Sequence, residues 1–276
     1  YHASVDHKMF NLSGQVIIVT GAMGQLGSRF ALALLERGAQ VAVVDISIDT
    51  AARTARYGKQ EKNPNILFVQ ADITSRTSLT EALQMIGTHW DAPSGLINAA
   101  ALDSPPNAPA EENGPFETYP SASWDKVMEV NVKGTMLCCQ VFGGAMAEAG
   151  RGSIVNICST YGLVSPDQRL YDYRRAKGVP FYKPVSYSAS KSALVNLTKY
   201  LATYWAGQGV RVNTLTLGGV FNGQDPEFLA EYCARVPMGR MADEDDYNGA
   251  VIFLLSNAAS YMTGSNLVID GGWTAW

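Results

Sequence analysis

Histidine, paired cysteines and long apolar runs are scarce in this sequence, and each shortage closes off a class of function. The histidines are His2, His7 and His89, too few and too scattered for a histidine-centred triad or a zinc site. The cysteines, Cys138, Cys139, Cys158 and Cys233, form no Cys-x-x-Cys pair. Neighbours such as Cys138 and Cys139 point different ways on a helix, so neither a disulfide framework nor a metal is expected, and a reducing cytoplasm is the default compartment. No apolar run approaches the ~20 residues that span a bilayer. The start of the chain lacks the basic-then-apolar order of a secretory signal. The formal net charge of −4 offers no electrostatic reason to expect nucleic acid or an anionic membrane as partner.

What is present is an ordinary globular composition, 47% hydrophobic and 17% charged over 276 residues, enough to bury a sizeable core. Residues 1–8 are set aside as a remnant or irregular tail, and 9–276 read as one catalytic domain. Short β-branched runs alternate with helical patterns. Strands are expected at Val16–Val19, Val41–Asp45, Ile66–Gln70, Leu96–Ile97, Ser153–Ile157, Val210–Leu215 and Asn266–Ile269. Helices are expected at 25–37, 49–57, 75–88, 122–148, 187–208 and 243–256. Continuous apolar strands separated by helices predict an α/β protein, a doubly wound parallel sheet with helices on both faces. Two stretches break the rhythm, the proline-rich 103–120 and the segment 162–186. Both leave from carboxyl ends of strands, where open parallel sheets bind their ligands.

The first strand runs into Gly21-Ala22-Met23-Gly24-Gln25-Leu26-Gly27 and then a helix. Glycines there let backbone N–H groups approach a pyrophosphate at the helix N-terminus. Asp45 closes the second strand, where a carboxylate accepts hydrogen bonds from the adenosine ribose and repels a 2′-phosphate. No Lys or Arg stands in the turn or directly after Asp45. NAD is therefore expected over NADP.

Tyr187 and Lys191 lie four residues apart in an amphipathic helical pattern and share a face. A free phenol titrates near pH ~10. A neighbouring ammonium stabilises the phenolate, which predicts a Tyr187 pKa lowered towards the range useful for acid–base work.

With Thr20–Gly27, Asn98-Ala99-Ala100-Ala101, Asn131, Ser159 and Tyr187–Lys191 in this order, the sequence resembles the short-chain dehydrogenase/reductase family over essentially its whole length, in the compact single-domain branch with a Rossmann-like fold. The resemblance implies Tyr187 as general acid/base and Lys191 as the residue that lowers its pKa and holds the nicotinamide ribose. It implies Ser159 as the group orienting the substrate oxygen, and Asn131 as support for a water relay. Cofactor contacts are implied at Gly21, Met23, Gln25, Leu26, Gly27, Asp45, Ile46, Asp72, Ile73, Asn98, Ala99, Ala100, Tyr187, Lys191, Gly218 and Val220. Substrate contacts fall at Ser159, Tyr161, Arg174, Arg175, Tyr187 and Gly219. Relatives pair helices between subunits, so a homo-oligomer, tetramer or dimer, is expected.

Three departures stand out. Gln25 occupies a position where the compact branch usually has glycine, a spacing closer to the extended, nucleotide-sugar-modifying branch. Leu217 replaces a proline before Gly218-Gly219. The interval from Ser159 to Tyr187 is lengthened, and the inserted stretch carries Arg169, Arg174, Arg175, Lys177 and Lys183 against Asp167 and Asp172, with aromatic residues interleaved. That excess of positive charge predicts recognition of an anionic substrate. The expected activity is NAD-dependent hydride transfer to or from a secondary alcohol or ketone, a sugar, sugar acid or other polyhydroxylated or anionic small molecule. The competing expectation is a nucleotide-sugar epimerase or dehydratase with tightly held NAD.

Overall fold

The computed structural model describes residues 9–103 and 109–276. The segment 1–8, and 104–108 within the first long loop, lie outside the described residues. Seven described strands form one sheet: β1 (Val16–Thr20), β2 (Gln40–Asp45), β3 (Ile66–Gln70), β4 (Gly95–Asn98), β5 (Gly152–Ser159), β6 (Val210–Leu217) and β7 (Asn266–Ile269). Their order is β3-β2-β1-β4-β5-β6-β7, and every neighbouring pair is parallel. The helices are α1 (Gln25–Glu36), α2 (Thr50–Tyr57), α3 (Arg76–His89), α4 (121–148), α5 (Asp172–Ala176), α6 (Val185–Trp205), α7 (Pro226–Arg235) and α8 (Asn248–Leu255).

Side chains alternate faces along a strand, and here both faces are covered. Ile17 and Val19 of β1 join Val41, Val43, Val155 and Leu215 in a core closed by Phe30 and Leu34 of α1 and Val251 and Leu254 of α8. Val16 and Ile18 turn the other way, to Leu79 and Ile86 of α3, Phe142 and Met146 of α4, and Leu201 and Trp205 of α6. This double burial explains why the strands read as unbroken apolar runs. Asp49 caps α2 by accepting from the Ala52 N–H at 2.9 Å, and Ser75 caps α3 from Ser78 at 3.3 Å, which fixes both helix starts.

The differences from expectation are local. Helix α4 widens twice into π-turns, Glu129–Gly134 and Cys139–Gly143, and such bulges tend to mark functional positions. Helix α7 and the one-turn helices at Ala110–Asn113, Phe116–Thr118 and Gln168–Tyr171 carry no clear apolar period in sequence. Helix α7 buries only Tyr232 fully, so a single contact sets its face.

Phe142 is fully buried between α4 and the sheet. Phe142→Ala should lower the free energy of unfolding by about 3–5 kcal/mol, read as an earlier urea midpoint with an unchanged slope.

Candidate active site

The strand order reverses beside β1, and its turn faces the chain leaving β4. Gly21 has φ +66°, and a Cβ there would lie 2.6 Å from Ala100 Cα. A Cβ on Gly27 would lie 2.3 Å from the Gly21 carbonyl oxygen. Both positions need glycine for space, and Gly21 for its backbone angle as well. Gly24 is the N-cap of α1, and no side chain caps it, which leaves the first turn's N–H groups as a ready cradle for a pyrophosphate. Asp45 accepts from the Met23 N–H at 2.9 Å and the Ser47 N–H at 3.3 Å, so its carboxylate stands over the turn.

The other expected cofactor positions fall around the same crevice in different ways. Ile46 is exposed at the rim, Leu26 and Met23 lean on the core, and Ile73 is buried against Gly134. Asp72 accepts from the N–H and hydroxyl of Thr74, both at 2.8 Å. Ala99 and Ala100 follow β4 at the close approach to Gly21. Gln25 does what glycine could not: its Nε2 donates to the Phe221 carbonyl at 3.1 Å, tying the turn to the stretch after β6. Gly218 accepts from the Tyr247 hydroxyl at 3.0 Å, the Gly219 N–H donates to Tyr232 Oη at 2.7 Å, and Val220 bridges to Ala242. The cradle, the carboxylate and the uncapped helix start fit a nicotinamide dinucleotide.

Helix α6 brings Tyr187 and Lys191 to the end of β5, where Ser159 closes the strand. Lys191 is buried, donates to the Ile157 carbonyl at 3.0 Å, and lies 5.8 Å from the centroid of the Tyr187 ring. Ser159 hydrogen-bonds the Tyr187 phenol and accepts from the Tyr161 N–H at 3.2 Å. Asn131, on the first π-turn of α4, has a fully engaged side chain. It accepts from the Leu102 N–H at 2.7 Å and donates to the Leu102 carbonyl and Ser190 Oγ, each at 3.0 Å. It thus braces the exit of β4 against α6. Asn98 points into the fold and donates to Asn156 Oδ1 at 2.8 Å, Asn156 donates to Thr198 at 2.9 Å, and Thr214 reaches the same Thr198 hydroxyl at 2.9 Å. This buried chain locks β4, β5, β6 and α6 together directly under the site, since breaking it would strand buried polar groups. Neither Asn156 nor Thr198 was anticipated; a buried-type strand carrying an asparagine was the available signal.

The pKa expectation for Tyr187 needs correction. Burial, followed by the negative charge of Asp103, pushes its phenol well above the usual tyrosine range, while the Ser159 hydrogen bond acts the other way. Burial also pushes Lys191 down. An ammonium that is itself disfavoured by desolvation cannot outweigh the desolvation of the phenolate. A second ammonium, unforeseen in this role, lies closer: Lys183 Nζ is 4.6 Å from the Tyr187 ring centroid.

Arg174 and Arg175, expected to recognise an anion, both have partners within the chain. Arg174 pairs with Asp225 at 2.8 Å and lies over the Phe181 ring. Arg175 pairs with Asp172 and donates to the carbonyls of Phe181 and Gln168 at 2.7 and 2.6 Å. Arg169 pairs with Asp167, Lys177 with Glu227 and Lys183 with Asp103. Every cation of the insertion therefore faces a carboxylate, and Asp225, Glu227 and Asp103 come from outside it. The interleaved aromatics are equally structural. Phe181 meets Tyr171 at a tilt, and Tyr171, Phe228, Tyr232 and Trp273 stack in sequence, at 4.6–5.7 Å between centroids, which fastens the insertion to α7 and the C-terminal segment.

A dinucleotide cradle facing a Ser–Tyr–Lys cluster defines an oxidoreductase of secondary alcohols that works with a nicotinamide dinucleotide. A family model described as enoyl-(acyl carrier protein) reductase matches residues 21–274. The D-threitol dehydrogenase of Mycolicibacterium smegmatis is 34% identical over 98% of this chain and 96% of its own. The 2-(S)-hydroxypropyl-CoM dehydrogenase 3 of Xanthobacter autotrophicus is 34% identical over 96% of this chain and 98% of its own. Among solved structures, a short-chain dehydrogenase from Leptospira borgpetersenii with bound NAD+ superposes with a TM-score of 0.81 at 32% identity, covering 96% of this chain and 94% of that one. The chain belongs to the short-chain dehydrogenase/reductase family. Among the described residues no cluster of three potential metal ligands occurs, and no helix is long and apolar enough to cross a membrane.

Tyr57, Tyr161, Tyr171, Tyr187 and Tyr247 all have phenols pushed up, burial being the largest cause in each. A raised folded-state pKa contributes stability that is complete below the unfolded value of about 10 and is lost as pH rises beyond it. The melting temperature should hold between pH 7 and 9 and fall steeply above pH ~10, measured by scanning fluorimetry across buffers.

Proposed function

We propose that this protein oxidises a neutral polyhydroxylated secondary alcohol with NAD, and reduces the corresponding ketone. The observation that carries the substrate class is the neutralisation of the insertion. Every cation of that segment is paired with a carboxylate, so an anionic substrate would meet a balanced surface rather than a positive one. The likeness to a D-threitol dehydrogenase supports the same class. NAD is favoured over NADP because Asp45 stands over the glycine turn, 2.9 Å from the Met23 N–H, where a 2′-phosphate would be repelled. The bound NAD+ of the Leptospira structure is in keeping with this.

When bound, the nicotinamide supplies the redox chemistry by exchanging hydride with the substrate carbon. Tyr187 exchanges the proton with the substrate oxygen, and Ser159, hydrogen-bonded to the phenol, holds that oxygen. With its phenol pushed up, Tyr187 retains its proton at neutral pH and is poised as the acid of ketone reduction. As the base of alcohol oxidation it must first lose that proton, so oxidation gains from rising pH. Lys191 sits on the Ile157 carbonyl beneath the ring, positioned to offer its remaining N–H donors to the nicotinamide ribose. Asn131 keeps α6 and the β4 exit in register for both residues. The exposed, stacked Tyr200 and Tyr204 on α6 support a homo-oligomer built on that helix.

Tyr187→Phe should leave NADH binding, followed by fluorescence, near that of the parent while lowering turnover at least ~100-fold, in line with the loss of a general acid/base. Substantial residual turnover would remove Tyr187 from the proton-transfer role. Asp45→Ser should narrow the preference for NAD over NADP by about tenfold or more, the scale of one lost charge-assisted hydrogen bond, read as the ratio of kcat/KM for the two cofactors. A ratio equal to that of the parent would exclude Asp45 as the selector.

A further inference from the structure

Lys183 differs from the other cations of the insertion. Its side chain is only 10% exposed, and its Nζ lies 2.5 Å from Asp103 Oδ1 and 4.6 Å from the Tyr187 ring centroid. The backbone that carries it is held rigidly. The Gln168 amide accepts from the Lys183 N–H at 2.9 Å and donates to the Lys183 carbonyl at 3.1 Å. The Tyr182 N–H donates to the Asn113 carbonyl at 2.8 Å, and Tyr119 Oη lies 2.7 Å from Ser186 Oγ. These bonds stitch the two long loops together just ahead of Tyr187. A side chain seated this firmly loses little further entropy when it binds a ligand.

Between those loops lies a cavity of about 410 Å³, walled by Glu117, Tyr119, Gln168, Tyr182, Lys183 and Ser188 among others. That volume is in the range of small-molecule sites. Its wall mixes carboxylate, amide and hydroxyl groups with aromatic faces, the combination that a polyhydroxylated chain requires. Ser188, in the same wall, has a buried hydroxyl without a hydrogen-bond partner among the described residues, a cost that a polar ligand group or water would relieve. Lys183 belongs to both the cavity wall and the surroundings of the Tyr187 ring, so it stands where a substrate would pass from one to the other.

An unpaired lysine beside Tyr187 would select an anion. A lysine already joined to Asp103 presents a fixed donor next to a fixed acceptor, and two neighbouring hydroxyls on a carbon chain satisfy such a pair together: one donates to the carboxylate while the other accepts from the ammonium. A substrate carboxylate would instead have to displace Asp103. We propose that the Lys183–Asp103 pair is the specificity element of the site, reading a vicinal diol next to the carbinol that reacts at Tyr187, with the remainder of the polyol lying in the cavity. This rests on the polyol reading given above.

The test compares threitol, its four-carbon aldonate and 2-butanol as substrates for the parent, Lys183→Met and Asp103→Asn, with NADH binding and melting temperature measured on each protein. The expected result is a fall in kcat/KM for threitol of about 10- to 100-fold in both variants, the scale of a lost hydrogen bond to a charged group, carried mainly by KM. The loss on 2-butanol should be at least tenfold smaller. Equal losses on threitol and 2-butanol, accompanied by a shifted pH profile, would mean that Lys183 acts only on the Tyr187 phenol and would overturn the diol role while leaving polyol oxidation standing. A parent enzyme that prefers the aldonate to threitol would also overturn it. A parent that oxidises 2-butanol but not threitol would remove the polyol reading itself, and the pair's role with it. If Lys183→Met melts early, Asp103→Asn decides, because it changes a half-exposed side chain without changing its shape.

Discussion

The close approach of Gly21 to Ala100 is the constraint on which the rest of this molecule depends. The sheet reverses its winding at β1, so the turn after β1 and the chain after β4 must diverge to opposite faces from nearly one point. With a Cβ at Gly21 only 2.6 Å from Ala100 Cα, no side chain fits there, and the divergence opens the crevice that receives a dinucleotide. Everything catalytic is measured from that crevice. Asn131 braces the β4 exit through Leu102, and the Asn98–Asn156–Thr198 chain holds α6 against β5. Tyr187 and Lys191 are therefore positioned by polar bonds buried beneath them, not by the helix alone.

The insertion before Tyr187 shows how charge composition and charge function can part. Its excess of basic residues vanishes once Asp225, Glu227 and Asp103 arrive from other parts of the chain. An exposed pair such as Lys177–Glu227 contributes little stability by itself, but together these pairs fix direction, turning Arg174 and Arg175 into the segment's own scaffold. The aromatic column from Phe181 to Trp273 then seats the segment on α7. The result is a rigid wall over the site, with Lys183 as the cation directed at the Tyr187 ring.

Most of the fold was legible beforehand because buried parallel strands leave continuous apolar runs whatever their order. The predicted strands agree with the observed ones to within a few residues, and β3 and β7 agree at both ends. The short helix α7 was not legible, since its one fully buried side chain, Tyr232, imposes no period. The π-turns of α4 were invisible for a related reason: they alter the backbone at Asn131 without altering the apolar pattern. At the site, the glycine turn, Asp45, Ser159, Tyr187 and Lys191 stood out by residue type and order. Lys183 did not, because a lysine in an irregular segment looks the same whether it meets solvent or a phenol.

The sequence by itself determined the doubly wound sheet and the glycine-rich turn after β1, since each follows from local periodicity or from residues close together along the chain, and the family resemblance singled out Ser159, Tyr187 and Lys191 as candidates for proton handling. Only the tertiary structure decided the sign of the Tyr187 shift and the balance of the insertion's charge. Both depend on desolvation and on carboxylates distant in sequence, and Asp103, which meets Lys183 across eighty residues, is the clearest case. Burial and long-range pairing exist only once the chain has folded.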